Sequence, residues 1–357
     1  MIALKALTKN PFKSFLIFAS ITIAVMAIFL ITSVSQGIIG MYSKMIKTDG
    51  DIIIAQKGIA DTFFSNVDLS LLEKINTLEH VRSSYGMIVG ASPVGHIPIA
   101  GIYGASKNHL SHYKLTKGKY PKQGEVLLGN TLAKQLKGRS VKIGNKRFKI
   151  SGYYSSDIGF EEGGVVMNID DAGELFNRSA SYIIVASDSP KSTQQLQDKI
   201  SLLDKEIDVK TTQSFIQEYN QFKIIENSSF VISSLAFTMG LMGIASVMSM
   251  IVNSRKEEFG IMRALGKSRL FIINNLFFET LIMSFSAYLF ALVLSLSILV
   301  TLPHIDMLQG YVNGSLTLST ALYVLASTII MSLTGTLMPA WIASKTDPVL
   351  LINQGGS

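Results

Sequence analysis

Four runs of the chain contain no Asp, Glu, Lys or Arg: residues 14–43, 227–254, 280–305 and 307–344. Each is longer than the roughly 20 apolar residues that carry an α-helix across a hydrocarbon core, so each supplies one span. The segment between the first two runs has another pattern. "DIIIAQ" (51–56) reads as a strand, and "LSLLEKINTL" (69–78) has helical spacing opened by a capping box of Ser70 and Glu73. Strand-like "SYGMIVG" and "HIPIAGIY" follow. The order recurs as "SYIIVA" (181–186), a helix begun by Ser189-Pro190, and "IDVKT" (207–211). Strand, helix and strand in this order bury a sheet face under helices. Between the two copies, "EVLLGNTLAKQLKG" offers a strand and a short helix that Gly138 can end. "VKIGNKRFKI" alternates around the hairpin signal Gly144-Asn145, and "GGVVMNIDDAGELF" adds a strand and a capped helix. The pattern predicts an α-helical membrane protein with four transmembrane helices, plus a split α/β domain with a mixed β insert between helices 1 and 2.

Composition agrees: 48% of residues are hydrophobic, mean hydropathy is +0.36, and only 16% are charged, well under the quarter usual in soluble domains. Residues 44–226 hold 23 of the 32 Lys/Arg and 20 of the 25 Asp/Glu. Basic residues set the direction of the spans. Lys5, Lys9 and Lys13 precede the first, Arg255, Lys256, Arg263, Lys267 and Arg269 join the second to the third, and Lys345 follows the fourth. The third and fourth are joined through Asp306 with no Lys or Arg. Both termini are therefore expected in the cytoplasm and 44–226 outside. The expected boundaries are a cytosolic end and first span over 1–43, the external domain over 44–226, and the second span over 227–254. A cytosolic connection over 255–269, the third span over 270–305, an external loop over 306–314, the fourth span over 315–344 and a cytosolic tail over 345–357 complete the chain. The formal charge of +7 follows from this topology, so no nucleic-acid partner is expected. Cysteine is absent, which rules out disulfides and thiol chemistry. The apolar run Phe15 to Ile39 exceeds a signal-peptide core and precedes no persuasive cleavage site, so a retained anchor is expected.

Residues 211–230 contain neither Pro nor Gly, which allows one helix from the domain through the second span. Gly37 and Gly40 lower helix propensity at the end of the first, as a hinge or a frayed end. "EFGIMRALGKS" (258–268) misses the phosphate-loop pattern G-x-x-x-x-G-K-[ST] by one residue. No strand fits before it in so short a connection. Ser254 and Glu257 form a second capping box and Gly266 stands as a C-terminal cap, so a short helix is expected, with Ile261, Met262 and Leu265 on one side and Lys256 and Arg263 roughly opposite. Spacing alone leaves two readings, a helix lying on lipid head groups or a docking helix for a cytosolic partner.

The same segment resembles the cytosolic signature of FtsX/MacB-type ABC transporter permeases, approximately E-[IF]-G-[IL]-[LM]-R-A-L-G-[AK]-S, through Glu258, Gly260, Arg263, Ala264, Gly266 and Ser268. "PAWIASKTDPVLLI" resembles the family ending P-A-x-x-A-x-x-x-D-P-V through Pro339, Ala340, Ala343, Asp347, Pro348 and Val349, and "KALTKNPFKSFLIFASITIAV" resembles its entry into the first span. The resemblance implies a dimeric permease, as homodimer or heterodimer, in the bacterial cytoplasmic membrane. It implies that a separate ABC ATPase binds ATP and Mg, that this chain binds no cofactor, and that Glu258, Gly260, Ile261, Arg263, Ala264, Leu265 and Gly266 meet that ATPase. It further implies a mechanotransmission role, with ATP-driven closure moving the outer domain. The outer domain would be porter-like over 44–104 and 181–226, with an insert over 105–180. Pro339, Asp347 and Pro348 would mark the cytosolic C-terminal motif.

Glu279 is the one intramembrane carboxylate, either at a helix start reaching water or in an interhelical hydrogen bond; isolated burial would cost about 3 kcal/mol. Ala287, Ala291 and Ser295 recur every four residues, a small face for close helix approach. His109 and His112 could share a helical turn but lack a nearby Cys or carboxylate, so exposed polar residues are the expected reading. Met239, Met242, Met248 and Met250 are expected to be apolar filling rather than a copper site. Glu161 and Glu162 are expected to point apart in an exposed turn. Three functions fit: a permease subunit driving export or extraction of a periplasmic or outer-leaflet substrate, which is favoured; a regulator of an extracytoplasmic partner such as a cell-wall hydrolase; or a membrane sensor without an ATPase.

Overall fold

The computed structural model describes residues 11–345 except 60, 157, 303, 304 and 306–313, so Lys5, Lys9, Asp306, Asp347, Pro348 and Val349 lie outside the described residues. Contacts divide the chain into two units: residues 37–226 with 302 and 305, and residues 11–36, 227–301 and 314–345.

The first helix, α1 (Pro11–Asp49), runs without interruption through Gly37 and Gly40, so no frayed end appears there. The α/β unit then follows as β1 (Ile52–Gln56), α2 (Leu71–Asn76), β2 (Val81–Val94), β3 (Ile97–Ala105), β4 (Lys114–Gly118), β5 (Glu125–Gly129), α3 (Asn130–Gln135), β6 (Ser140–Ile143) and β7 (Lys146–Ser155). After these come α4 (Gly159–Glu162), β8 (Val165–Asn168), α5 (Ile169–Phe176), β9 (Tyr182–Ser187), α6 (Thr193–Ser201), β10 (Ile207–Thr211) and α7 (Thr212–Glu218). The strands form one sheet in the order β10-β1-β9-β2-β3-β8-β5-β7-β4, with β6 paired to β2 and β7. Strand β9 lies between β1 and β2 and is antiparallel to both, which splits the first strand-helix-strand unit with a strand of the second. Strands β4 to β8, which the sequence suggests as a separate lobe, continue the same sheet through the parallel pairing of β3 with β8.

At β1 and β9 both faces of this sheet are buried. Ile52, Ile54, Ile183 and Val185 lie under Leu71 and Ile75 of α2 and Leu196 and Ile200 of α6. Their neighbours Ile53, Tyr182 and Ile184 turn to the other face, with Met45 and Ile46 of α1 and Phe215 of α7. All six positions of β9 are buried, which is why that strand reads as a continuous apolar run rather than an alternation.

Several helix ends differ from expectation. Ser70 has helical dihedrals (φ −60°, ψ −21°) and makes no side-chain cap. Instead the Asp68 carboxylate accepts from the Ser70 backbone N–H at 2.9 Å, so the turn begins earlier and no capping box closes. Helix α3 stops at Leu136, which is extended, before Gly138 is reached. The expected single helix over 211–230 is broken at Tyr219 (φ −63°, ψ 115°). The reason is the side chain: Tyr219 is buried and donates its hydroxyl to Asp61 at 2.9 Å.

The second unit contains the described part of α1 up to residue 36, α8 (Asn220–Ser254) from residue 227, α9 (Lys256–Ala264), α10 (Arg269–Thr301) and α11 (Leu318–Lys345). Helices α1, α8, α10 and α11 are long and apolar enough to cross a membrane. Ile17, Ile21, Val25 and Phe29 form one stripe of α1 and meet Ile244 and Met248 of α8, Leu276 and Met283 of α10, and Met331 of α11. The opposite faces expose Phe230, Leu235, Phe278, Val293 and Leu337; helices apolar all round are suited to lipid rather than water. Met239, Met242 and Met250 point outward while Met248 is buried, so these four methionines share no site. The close approaches fall at glycines the sequence reading did not weigh. A Cβ on Gly240 would sit 2.7 Å from that of Ala24, and one on Gly335 would sit 3.0 Å from Ile244.

Candidate functional site

Helix α8 ends at Ser254, whose hydroxyl returns to the Ile251 carbonyl at 3.0 Å, so the second capping box does not form either. Arg255 breaks the helical run (φ −119°, ψ 17°), and its side chain turns inward. Nε donates to Glu258 at 3.0 Å, and Nη1 donates to both oxygens of Glu279 at 2.9 and 3.2 Å. The guanidinium also lies 5.3 Å from the centre of the Phe259 ring. Arg255 is 4% exposed and Glu279 2%. Glu279 is therefore paired across helices rather than reaching water. One arginine serving two carboxylates in its planar fork ties the start of α9 to α10.

The rest of α9 divides into anchored and offered positions. Phe259 and Gly260 are buried, and Met262 packs on the same apolar core. Ile261 and Leu265 are 54% and 77% exposed, Ala264 and Gly266 are exposed, and Glu258 and Arg263 are half-buried. Arg263 Nη1 donates to the Lys267 carbonyl at 3.1 Å. The helix closes through two bonds, Gly266 N–H to the Arg263 carbonyl and Lys267 N–H to the Met262 carbonyl, each at 3.0 Å. That pair is a Schellman cap, and Gly266 with φ +82° supplies its left-handed residue. The near-match to a phosphate loop is thus a helix stop. Pro339 and Ala340 are buried in α11.

Ala287, Ala291 and Ser295 are fully buried along α10. Beside them runs a polar ladder to α11 that spacing did not single out. Thr280 meets Thr336 at 3.1 Å, Ser284 meets Ser332, and the Tyr288 hydroxyl donates to the Ala321 carbonyl at 3.1 Å. Arg255 was also hidden, because as a basic residue beside a span it reads as a topology signal. Its clue was Glu279, an intramembrane carboxylate that needs a partner.

In the α/β unit, His109, His112 and Glu161 line a cavity of about 220 Å³ with Lys44 and Lys114. His109 is not an exposed polar residue: it is 2% exposed, stacked 3.9 Å from Tyr85 and 4.4 Å from His112. Burial, and next the neighbouring His112, push its pKa down to about 3. Stacked imidazoles aim their in-plane lone pairs side by side rather than at one point. Among the described residues no three His, Cys, Asp or Glu groups are placed to hold a metal. Glu161 is likewise buried rather than in an exposed turn, and burial pushes its pKa up to about 7 against a 2.5 Å hydrogen bond from Ser156 Oγ. Glu161 and Glu162 do not point apart, since both turn back to Ser156. Helix α4 packs on β3 and β5, which draws Glu161 inward.

Residues 14–203 match the MacB-like periplasmic core domain family, and residues 230–348 match the FtsX-like permease C-terminal family. Over 97% of its length the chain is 20% identical to an uncharacterised ABC transporter permease of Methanocaldococcus jannaschii, 95% of which is covered. Among solved structures, it is similar to the periplasmic region of MacB from Actinobacillus actinomycetemcomitans, with 15% identity, a TM-score of 0.39, and coverage of 48% of this chain and 92% of that one. It is also similar to the extracellular domain of the noncanonic ABC-type transporter YknZ from Gram-positive bacteria, with 8% identity, a TM-score of 0.38, and coverage of 45% and 98%. With one family spanning more than half of the sequence and the other most of the remainder, the chain belongs to the FtsX/MacB-type ABC transporter permeases and is a multi-pass membrane protein.

Proposed function

We propose that this chain is the permease subunit of an ABC transporter and couples ATP hydrolysis by a separate ATPase to movement of its α/β domain, driving export or extraction of a substrate from the outer side of the membrane. Two copies, or this chain and a similar one, pair with an ATPase dimer that binds ATP and Mg; both termini and α9 face the cytoplasm. The observation that carries the reading is the division of labour within α9. Arg255 and Phe259 fix the helix from within, while Ile261 and Leu265, two large apolar side chains, are held outward beside a capped end. Exposed apolar residues on a pinned helix suit a protein groove. Glu258, Gly260, Arg263, Ala264 and Gly266 complete the coupling surface.

Co-expression of the full chain with an ABC ATPase from the same genome tests this. The expected result is co-purification and permease-dependent ATP hydrolysis, both lost on Leu265→Asp or Arg263→Glu with the thermal transition of the permease unchanged. An intact complex in both variants would remove α9 from the coupling route.

A further inference from the structure

We propose that the α/β domain binds an apolar organic ammonium ion in a second cavity, with Asp61 as the counter-charge. The cavity holds about 370 Å³ and lies between Ile38 and Tyr42 of α1, Phe222 and Ile225 of α8, and Val89 and Tyr103 of the sheet. That volume is within the usual range for a small-molecule site. Aromatic rings dominate one wall. Tyr42 is stacked on Tyr219 with centroids 5.6 Å apart, meets Phe222 edge-on at 5.4 Å, and lies 6.2 Å from Phe160.

Asp61 is the one charged residue among the described residues that line this space. Its Oδ1 accepts from the Phe63 backbone N–H and from the Tyr219 hydroxyl, each at 2.9 Å, and Oδ2 accepts from Gln221 Nε2 at 3.1 Å. Those donors are all uncharged. They hold the carboxylate in place without cancelling its charge. The rings of Tyr42, Phe160, Tyr219 and Phe222 add polarisable apolar surface of the kind that accommodates a weakly hydrated cation. An anion would be repelled here, and an uncharged ligand would gain at most a hydrogen bond from Asp61, with no charge attraction. A metal ion would find a single carboxylate among rings, and no three-ligand group exists among the described residues. A tertiary or quaternary ammonium needs no further hydrogen-bond acceptor and brings an apolar body for the wall, which leaves it as the fitting class. The inference does not depend on α9 or on an ATPase.

The test uses the purified full chain in an uncharged maltoside detergent, with binding followed by equilibrium dialysis. The probes are benzyltrimethylammonium and its uncharged carbon isostere, neopentylbenzene. The expected result is at least about tenfold tighter binding of the ammonium. Asp61→Asn weakens the ammonium about tenfold and leaves the isostere unchanged. Ala91→Phe, which fills the cavity from its wall without touching the hydrogen bonds of Asp61, abolishes binding of both. Equal affinity for the two probes, no saturable binding of the ammonium, or ammonium binding undiminished in either variant with an unchanged melting transition would overturn the proposal.

Discussion

Glu279 in the membrane unit and Glu161 in the α/β unit are carboxylates of nearly equal burial, 2% and 6% exposed, yet their surroundings handle the charge in opposite ways. Glu279 receives one arginine nitrogen, Nη1 of Arg255, across both of its oxygens. Glu161 has a serine hydroxyl and no cation at bonding distance among the described residues, so its charged form is disfavoured and its pKa rises to about 7. Pairing offsets a buried charge with a cation, whereas a buried carboxyl without one becomes sensitive to pH. The first arrangement ties the start of α9 to α10. The second makes the domain's stability a function of the medium around it.

The largest effect is expected at the pair. Arg255→Ala strands a buried carboxylate and is expected to cost about 3–5 kcal/mol in chemical unfolding of the full chain in detergent. Replacing both residues together, Arg255→Met with Glu279→Met, is expected to be far milder because no charge is stranded. A loss below about 1 kcal/mol for Arg255→Ala would mean that water reaches Glu279, and the contrast with Glu161 would vanish.

At Glu161 the folded chain binds the proton more tightly than the unfolded one, so its contribution to stability is complete below the ordinary value of 4.5 and is lost as pH rises through about 7. The whole difference is worth roughly 3 kcal/mol. Glu161→Gln is therefore expected to raise the melting temperature at pH 8 and change little at pH 4. His109 has the opposite sign: with its pKa pushed from 6.5 down to about 3, its contribution is complete above 6.5 and is lost as pH falls. Between those limits the two slopes oppose each other, so Glu161→Gln should expose a loss on the acid side that the parent protein masks. Equal pH profiles for the variant and its parent would show that the carboxylate is hydrated.

A smaller effect belongs to the cap. Gly266→Ala places a Cβ at φ +82° and is expected to cost about 1 kcal/mol. No atom lies within 4 Å of that Cβ, so the strain is in the backbone and hydrogen exchange in α9 should rise without global loosening. Unchanged exchange would mean that the cap contributes nothing to holding Ile261 and Leu265 outward.

What the sequence disclosed follows from range. The four spans depend on run length, β1 and β9 on short apolar blocks, and β10 on the alternation of Ile207 and Val209 with polar residues, so all were legible. Gly266 as a stop was legible because its cap spans six residues. Ser70 and Ser254 misled because a capping box needs an extended first residue, and local letters do not reveal that Asp68 or the Ile251 carbonyl captures the chain first. The break at Tyr219 depends on Asp61, 158 positions away. Glu161, read as exposed beside two glycines, is buried because α4 is drawn onto β3 and β5, a contact no local pattern encodes.

The smallest effect sharpens the contrast most directly, because it concerns uncharged polar groups on the same helix as Glu279. Thr280, Ser284 and Tyr288 are four residues apart, so they lie on one face of α10 and meet Thr336, Ser332 and the Ala321 carbonyl of α11. Ser332 and Thr336 also bond within their own helix: Ser332 Oγ lies 2.7 Å from the Thr328 carbonyl and Thr336 Oγ1 lies 2.7 Å from the Ser332 carbonyl. Loss of one rung can thus be absorbed by the backbone, unlike loss of Arg255. Ser332→Ala and Thr336→Val are each expected to cost about 0.6 kcal/mol in detergent unfolding, and together little more than the sum. A loss above about 2 kcal/mol at either rung would mean that α10 is held mainly by its hydroxyls, and Arg255 would no longer be the dominant polar tie in the membrane unit.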